Sequence, residues 1–371
     1  MTSSASSNSE LNLELLCSLI KTPSNISEAS IGVDLVKVLA DYGFSVERQE
    51  VETGRWNLFA TKNLSSNTKA VLFYAHQDTV SPLPDWKDPF SPIIQGDTLI
   101  GLGSYDMKGG LVAILDASKD THAYVKLFLA IDEENISSGA WHAIEHNRPF
   151  FEDVELVISA EPNFGLGLEG ITRGRTGRAI FVVDFQGKAA HVAKYRDAVD
   201  AIELASSWVN TFYQRRDTLF SSAKTVGLVR KFIGEAVGMS VCSSVQLEVE
   251  VQVGASDSFE RVKVIIESIE PNNERIAIEL KPRPTPYLPG YFFESFPHQE
   301  KIAEIISEAT GKNMKLCERS SVGDDNAMAT LGIPVITWGP DGGNAHNTGE
   351  WVSLYSLRKL SGMFKQLLRY C

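Results

Sequence analysis

Three apolar runs in the first half of the chain each stop just before a residue that can carry chemistry. Ala70–Tyr74 leads into His76, Val125–Ile131 into Glu133 and Glu134, and Val154–Ala160 into Glu161. Each run is short and mainly apolar, as expected for a strand buried on both faces. Trp56–Ala60 reads as another such strand. Leu11–Ile20, Ile31–Tyr42, Gly110–Ala117 and Ser138–Asn147 have helical spacing. This alternation implies an α/β fold, a mixed or parallel sheet with helices on both faces. Ligands in such sheets collect beyond the carboxyl ends of strands, which is where the histidine and the glutamates fall.

The middle of the chain has another order. Arg178–Gln186, Thr225–Ile233, Ser244–Val253 and Arg275–Lys281 read as strands, and Ala198–Arg215 and Phe259–Glu270 as helices. That βαββαβ succession predicts a ferredoxin-like split βαβ insertion. The proline-rich stretch Lys281–Pro289 reads as the hinge back. Glu300–Thr310, Pro334–Trp338 and Ser353–Arg369 then restore helix, strand and helix. The expected organisation is a discontinuous catalytic domain over 1–172 and 283–371, interrupted at 173–282 by a lid or dimerisation domain.

At 371 residues the chain is long enough for two ordinary domains. Its 43% hydrophobic and 22% charged content is globular. No apolar stretch reaches the roughly 18 residues of a membrane span, so no membrane association is expected. The first ten residues, MTSSASSNSE, lack the basic and apolar regions of a secretory signal and read as a short flexible lead. Cys17, Cys242, Cys317 and Cys371 show no paired spacing, which suits a reducing cytoplasm. A net charge of −12 argues against nucleic acid, whose binding needs clustered Lys and Arg.

The residues beyond the strand ends form an inventory of imidazoles and carboxylates. His76 and Asp78 lie in AHQDTV, Asp106 in GLGSYDMKGG, Glu133 and Glu134 in DEEN, Glu161 in AEP, and His346 in GGNAHNTGE. Imidazole nitrogen and carboxylate oxygen together suit a pair of divalent cations. A two-metal site can activate water and polarise a carbonyl or phosphoryl oxygen. Each motif also has a plain reading by itself. A lone His-x-Asp is more often a turn with a solvated aspartate, an aspartate before a helix is an ordinary cap, and a DEE run is usually a solvated loop. The ordered set is what makes metal chemistry the better reading. Asp78, two residues past His76, would point to the same side of an extended chain and fix the imidazole tautomer.

The ordered set resembles the di-zinc aminoacylase and carboxypeptidase metallohydrolases, the group that includes acetylornithine deacetylase and succinyl-diaminopimelate desuccinylase. The resemblance runs from Leu11 to Leu368. It implies two divalent ions, zinc with cobalt or manganese as alternatives. His76 and Glu161 would hold one ion, Glu134 and His346 the other, and Asp106 would bridge them. Glu133 would be the general base, and Asp78 would support His76. His191, in GKAAHVA, reads by itself as a surface or interface histidine; the resemblance implies that it donates to the oxyanion of a neighbouring subunit's reaction. The implied substrate is an N-acyl amino acid of the acetylornithine, acetyl-lysine or succinyl-diaminopimelate kind. The alternative is a short peptide cleaved by an exopeptidase. The implied assembly is a homodimer through the inserted domain.

The chain departs from the family pattern in that domain. Where family members carry Asp-x-Arg, it has Glu250 and Gln252, and glutamine cannot grip a carboxylate as arginine does. Arg173, Arg175 and Arg178 near the hinge are candidate replacements, or solvated residues around a glycine turn. Asp324, aligned with the family's Gly-Asp segment, would with Asp325 and Asn326 face a substrate amino group. Gly165–Gly170 reads GLGLEG, a formal dinucleotide fingerprint. The stretch after it is basic and then strand-like, whereas pyrophosphate binding requires a helix there.

Overall fold

The computed structural model describes residues 11–65, 67–220, 224–271 and 273–371. The ten-residue lead lies outside them. In chain order the main elements are α1 (Leu13–Lys21), α2 (Ala29–Asp41), β1 (Ser45–Glu52), β2 (Arg55–Lys62), β3 (Ala70–His76), β4 (Ile93–Gln95), β5 (Thr98–Ile100), α3 (Gly109–Ser118), β6 (Val125–Ala130), α4 (Ser138–His146), β7 (Val154–Ser159) and β8 (Gly170–Arg175). Next come β9 (Gly177–Gln186), α5 (Ala201–Leu219), β10 (Val226–Gly234), β11 (Ser244–Val253), α6 (Phe259–Glu267) and β12 (Ile276–Leu280). The chain returns through β13 (Tyr291–Phe292), α7 (Gln299–Thr310), β14 (Lys315–Arg319), α8 (Asp324–Ala329), β15 (Val335–Thr337), β16 (Gly342–Gly343), β17 (Trp351–Ser353) and α9 (Leu354–Tyr370).

Two compact units result. The first comprises 1–173, 293–317 and 323–371; the second comprises 174–292 and 318–322. The first is an α/β unit built on a mixed sheet in the order β1-β2-β6-β3-β7-β15-β8. At its centre β3 is parallel to both β6 and β7, and β15 is parallel to β7. Every residue of β3 and of β6 is buried, which is why these strands read as mainly apolar runs. Because β3, β6, β7 and β15 run the same way, their carboxyl ends fall on one edge of the sheet. A smaller sheet has the order β16-β17-β5-β4. The last helix is amphipathic: Leu357, Leu360, Phe364 and Leu367 are buried at helical spacing. Phe364 packs against Phe73 of β3 with ring centroids 4.9 Å apart.

The second unit has an antiparallel sheet in the order β10-β11-β9-β12. With the element order βαββαβ this is a split βαβ arrangement. One face of β11 buries Val245, Leu247, Val249, Val251 and Val253. Trp208 and Phe212 of α5 stack in the same core at 5.5 Å. The proline-rich segment Lys281–Pro289 is not a bare hinge. Tyr287 is part of this core, and Leu288 accepts the Arg178 N–H at 3.0 Å, so the unit continues to Phe292. Residues 318–322 join it too, through the Thr176 N–H to the Arg319 carbonyl at 2.9 Å.

Several short elements carry no sequence signal. β1 reads SVERQEVE and is exposed along most of its length, so no apolar alternation marks it. β8 reads GITRGR, and its glycines and arginines read as a turn. GLGLEG leads into β8, so no helix comes after it to aim its N-terminus at a pyrophosphate. Among the described residues no helix is long and apolar enough to cross a membrane, and the four cysteines are free.

Candidate metal centre

The strand ends of the first unit supply most of the site. His76 is the last residue of β3 and is fully buried. Glu133 and Glu134 come just after β6, past Asp132, whose φ of 64° turns the chain. Glu161 lies two residues beyond β7. Asp106 lies in the irregular segment before α3, with φ −117° and ψ 94°. It therefore does not cap that helix. His346, at φ 61°, lies in the loop between β16 and β17.

The side chains converge. His76 Nε2 is 3.2 Å from Asp106 Oδ1 and 3.6 Å from Glu161 Oε1. His346 Nε2 is 3.3 Å from Asp106 Oδ2 and 3.1 Å from Glu134 Oε2. The two oxygens of Asp106 thus face two different imidazoles. Donor atoms of His76, Glu133 and Glu161 lie within 4.8 Å of one another, as do those of His76, Asp106 and Glu134. Asp78 lies behind this cluster. Its Oδ1 is 3.5 Å from His76 Nδ1, and its Oδ2 accepts the Glu134 N–H at 3.0 Å.

This crowding sets the electrostatics. Burial pushes the Glu133 carboxyl well up, and the Glu161 charge adds to it. Burial also raises Glu134. Burial raises Asp106 too, but its hydrogen bonds with His346 and His76 outweigh that and hold it below the usual carboxylate range. The same bonds, to Asp106 and then Glu134, raise His346 to about 10. Carboxylates outnumber imidazoles here, and Glu134 Oε1 is buried with no hydrogen-bond partner among the described residues. A buried surplus of negative oxygen donors with two imidazoles is the ligand chemistry of divalent cations. The residues fit such a pair.

Close backbone approaches hold the pieces. A Cβ on Gly110 would lie 2.1 Å from the Ala160 carbonyl oxygen, and one on Gly339 would lie 1.7 Å from that of Glu161. Glycine at these positions lets α3 and the segment after β15 press against the end of β7, where Glu161 sits. Lys108 is fully buried; its Nζ donates to the Leu19 and Thr22 carbonyls at 2.9 and 3.1 Å. Burial lowers it to about 7, against the charges of Glu350 and Asp78.

Sequence comparison places the whole arrangement. The family model described as peptidase family M20/M25/M40 matches residues 72–370. The chain belongs to this family. Its members are hydrolases of amide bonds, and so is this protein. It is 25% identical to a succinyl-diaminopimelate desuccinylase of Sphingopyxis alaskensis over 387 residues, covering 96% of this chain and 97% of the relative. It is also 25% identical to an acetylornithine deacetylase of Shigella sonnei, with the same coverage. Aminopeptidase PepT of Bacillus cereus shares the fold, with a TM-score of 0.78 at 20% identity over 96% of this chain and 97% of that one.

The other expected site residues have surroundings of their own. Asp324 and Asn326 were expected to face a substrate amino group, and the Asp324 charge does bear on Glu133. They begin α8 and are fully buried. Asp324 Oδ2 accepts from the Tyr74 hydroxyl at 2.7 Å, and burial raises its carboxyl to about 7. Asn326 Oδ1 accepts the Gly323 N–H at 3.0 Å, and Asp325 accepts from Thr337 Oγ1 at 2.6 Å. Arg173 and Arg175 are strand residues of β8, not a solvated hinge. Arg173 donates to the Glu294 carbonyl, and Arg175 is 3% exposed with Nη1 3.5 Å from Ser321 Oγ. His191 belongs to the second unit and is exposed. Glu28, Arg55 and Glu350 brace the site without any sequence signal beyond the closing glutamate of GGNAHNTGE.

Proposed function

We propose that this protein removes the acyl group from an N-acyl amino acid by metal-assisted hydrolysis. The observation that carries the reading is the Asp106 carboxylate set between two imidazoles, 3.2 Å from His76 and 3.3 Å from His346. His76 and Glu161 would hold one divalent ion, Glu134 and His346 the other, and Asp106 would serve both. Zinc suits these donors, as do cobalt and manganese. Such ions, when bound, acidify water and polarise the scissile carbonyl.

The chain's own groups do the rest. Glu133 takes the proton of the attacking water and returns it to the leaving amine. Its proton affinity, raised by burial, suits a group that must hold the proton between those steps. Asp78 holds His76 by its Nδ1 side, leaving Nε2 for the metal. His191 accepts the Ala193 N–H on Nδ1 at 3.2 Å, so the ring proton is on Nε2. That is the form needed to donate to an oxyanion in a partner subunit. The second unit serves as lid and dimerisation module. Its edge strand β10 supports the dimerisation role, because Leu228, Phe232 and Ile233 are exposed at 46%, 43% and 55% at the outer edge of the sheet.

A peptide substrate is the second reading. Gln252 donates to the Ser320 carbonyl at 3.2 Å, and Arg178, its partner across the ladder, is bound to Glu250 at 2.8 Å. An arginine grip on a substrate carboxylate, a group that an N-acyl amino acid and a dipeptide both carry, has no support at this strand. A panel of N-acetyl and N-succinyl amino acids and dipeptides, assayed with zinc and with chelator, separates the two. Chelator-sensitive release from one acyl class supports the deacylase. Cleavage of dipeptides alone replaces it with the exopeptidase.

A further inference from the structure

Glu350 closes the loop that carries His346, and it is 1% exposed. Its carboxylate accepts three backbone N–H groups from one short segment. Gly103 donates to Oε2 at 2.9 Å, and Tyr105 and Asp106 donate to Oε1 at 2.8 and 2.9 Å. The Glu350 carbonyl accepts the Gly101 N–H at 3.0 Å and lies 3.5 Å from Ser104 Oγ. The stretch from Gly101 to Asp106 is thus tied along nearly its whole length to one residue. It is neither strand nor regular helix there, so its N–H groups have no ladder to satisfy them in a dry interior. A carboxylate, with its several lone pairs, takes three donors at once; no neutral side chain of that size does.

This bracing bears on the ligands. Asp106 supplies one oxygen to the His76 side and the other to the His346 side. A small shift of its peptide would spoil both contacts. Its own N–H is held by Glu350, four residues beyond His346 in the same loop. We propose that Glu350 is a positioning residue, which fixes the Asp106 backbone relative to the His346 loop so that one carboxylate can serve two cations. Both of its carboxylate oxygens are engaged by backbone N–H groups. This inference rests on the reading of these residues as a two-cation site.

The test is titration of the folded apoprotein with zinc ion against a chromophoric chelator, for the wild type, Glu350→Gln, Glu350→Asp and His346→Ala. Thermal unfolding of each apoprotein is monitored in parallel. In Glu350→Gln the amide keeps the shape but turns an NH2 group toward a backbone N–H. Affinity for both ions is expected to fall, by about 10–100-fold, as for other groups that orient ligands. Glu350→Asp, which keeps the charge, should recover part of it. His346→Ala should lose one ion and keep the other. Wild-type affinity for two ions in folded Glu350→Gln overturns the proposal. So does a lowered melting temperature with unchanged affinity, which marks a purely structural role. If Glu350→Gln does not fold, Glu350→Asp decides by the same criterion. If His346→Ala still binds two ions as the wild type does, the two-cation reading fails, and the role of Glu350 falls with it.

Discussion

Glu133 and Glu134 are neighbours with different surroundings, and that difference supports the division of work proposed for them. Glu134 meets the His346 ring at 3.1 Å. Glu133 has burial and the Glu161 charge as its chief influences, which suits the proton-transfer role proposed for it. Glu133→Gln keeps the volume and removes the base. It is expected to lower kcat by about 10²–10⁴-fold while metal content by elemental analysis stays at the wild-type level. Loss of metal together with activity would instead make Glu133 a ligand. The adjacency was legible in the sequence, but the distinction between the two carboxylates was inferred there only by resemblance. Asp324 is the converse case. Its acidic neighbours suggested a group facing a substrate amine; the hydroxyl of Tyr74, far away in sequence, is bonded to its side chain. A pairing across that separation leaves no local pattern to read.

At the scale of elements, the turn after β6 is braced from outside its own sequence. Glu28, 2% exposed at the start of α2, accepts Arg55 Nε and Nη2 at 2.6 and 2.7 Å. It also accepts the Asp132 N–H at 3.2 Å, and Arg55 reaches Asp132 Oδ1 at 3.4 Å. Arg55→Met would leave Glu28 buried without its charge partner. Removing one member of a buried pair costs about 3–5 kcal/mol, and the low end applies because Arg55 is 18% exposed. Urea unfolding should show that loss; an unchanged midpoint would mean that the pair is not bracing the turn. The start of β8 offers a second test. Burial pushes the Glu169 carboxyl up, but its own backbone N–H and the bonds from Lys312 and Lys315, at 3.0 and 3.1 Å, outweigh this and bring it to about 2. A carboxyl depressed on folding adds stability above its unfolded value of about 4.5 and loses it as pH falls toward 2. Relative to Glu169→Gln, the wild type should lose its advantage between those limits. High salt should shrink the difference, because both lysines are more than half exposed. An equal acid dependence of the two proteins would remove Glu169 from the account. Elements with apolar periodicity were readable in the sequence. β1 was not, since a polar edge strand is defined by its pairing with β2 and not by a buried face.

For the whole molecule, the edge strand β10 is the feature with the largest consequence. Exposed Leu228, Phe232 and Ile233 on an edge strand are the surface a second copy would cover. Phe232→Glu, at a position where the side chain is already exposed, is expected to keep the fold and to shift sedimentation from dimer to monomer. Activity should fall with it if His191 acts across the interface. A wild-type protein that sediments as a monomer would remove both the dimer and the role of His191 in trans.

The sequence by itself determined the α/β class, the inserted βαββαβ order and which imidazoles and carboxylates fall just beyond the strand ends. It could do so because buried strands leave mainly apolar runs and because His76, Glu133, Glu134 and Glu161 come soon after those runs. The tertiary structure decided what holds them in place. The bonds from Glu350 to the Asp106 segment, from Arg55 to Glu28 and from Tyr74 to Asp324 all join residues distant in the chain. The close contact of Gly110 with Ala160 is likewise set only when a helix start meets a strand end. Such pairings depend on where whole elements come to rest, and local sequence carries no record of that.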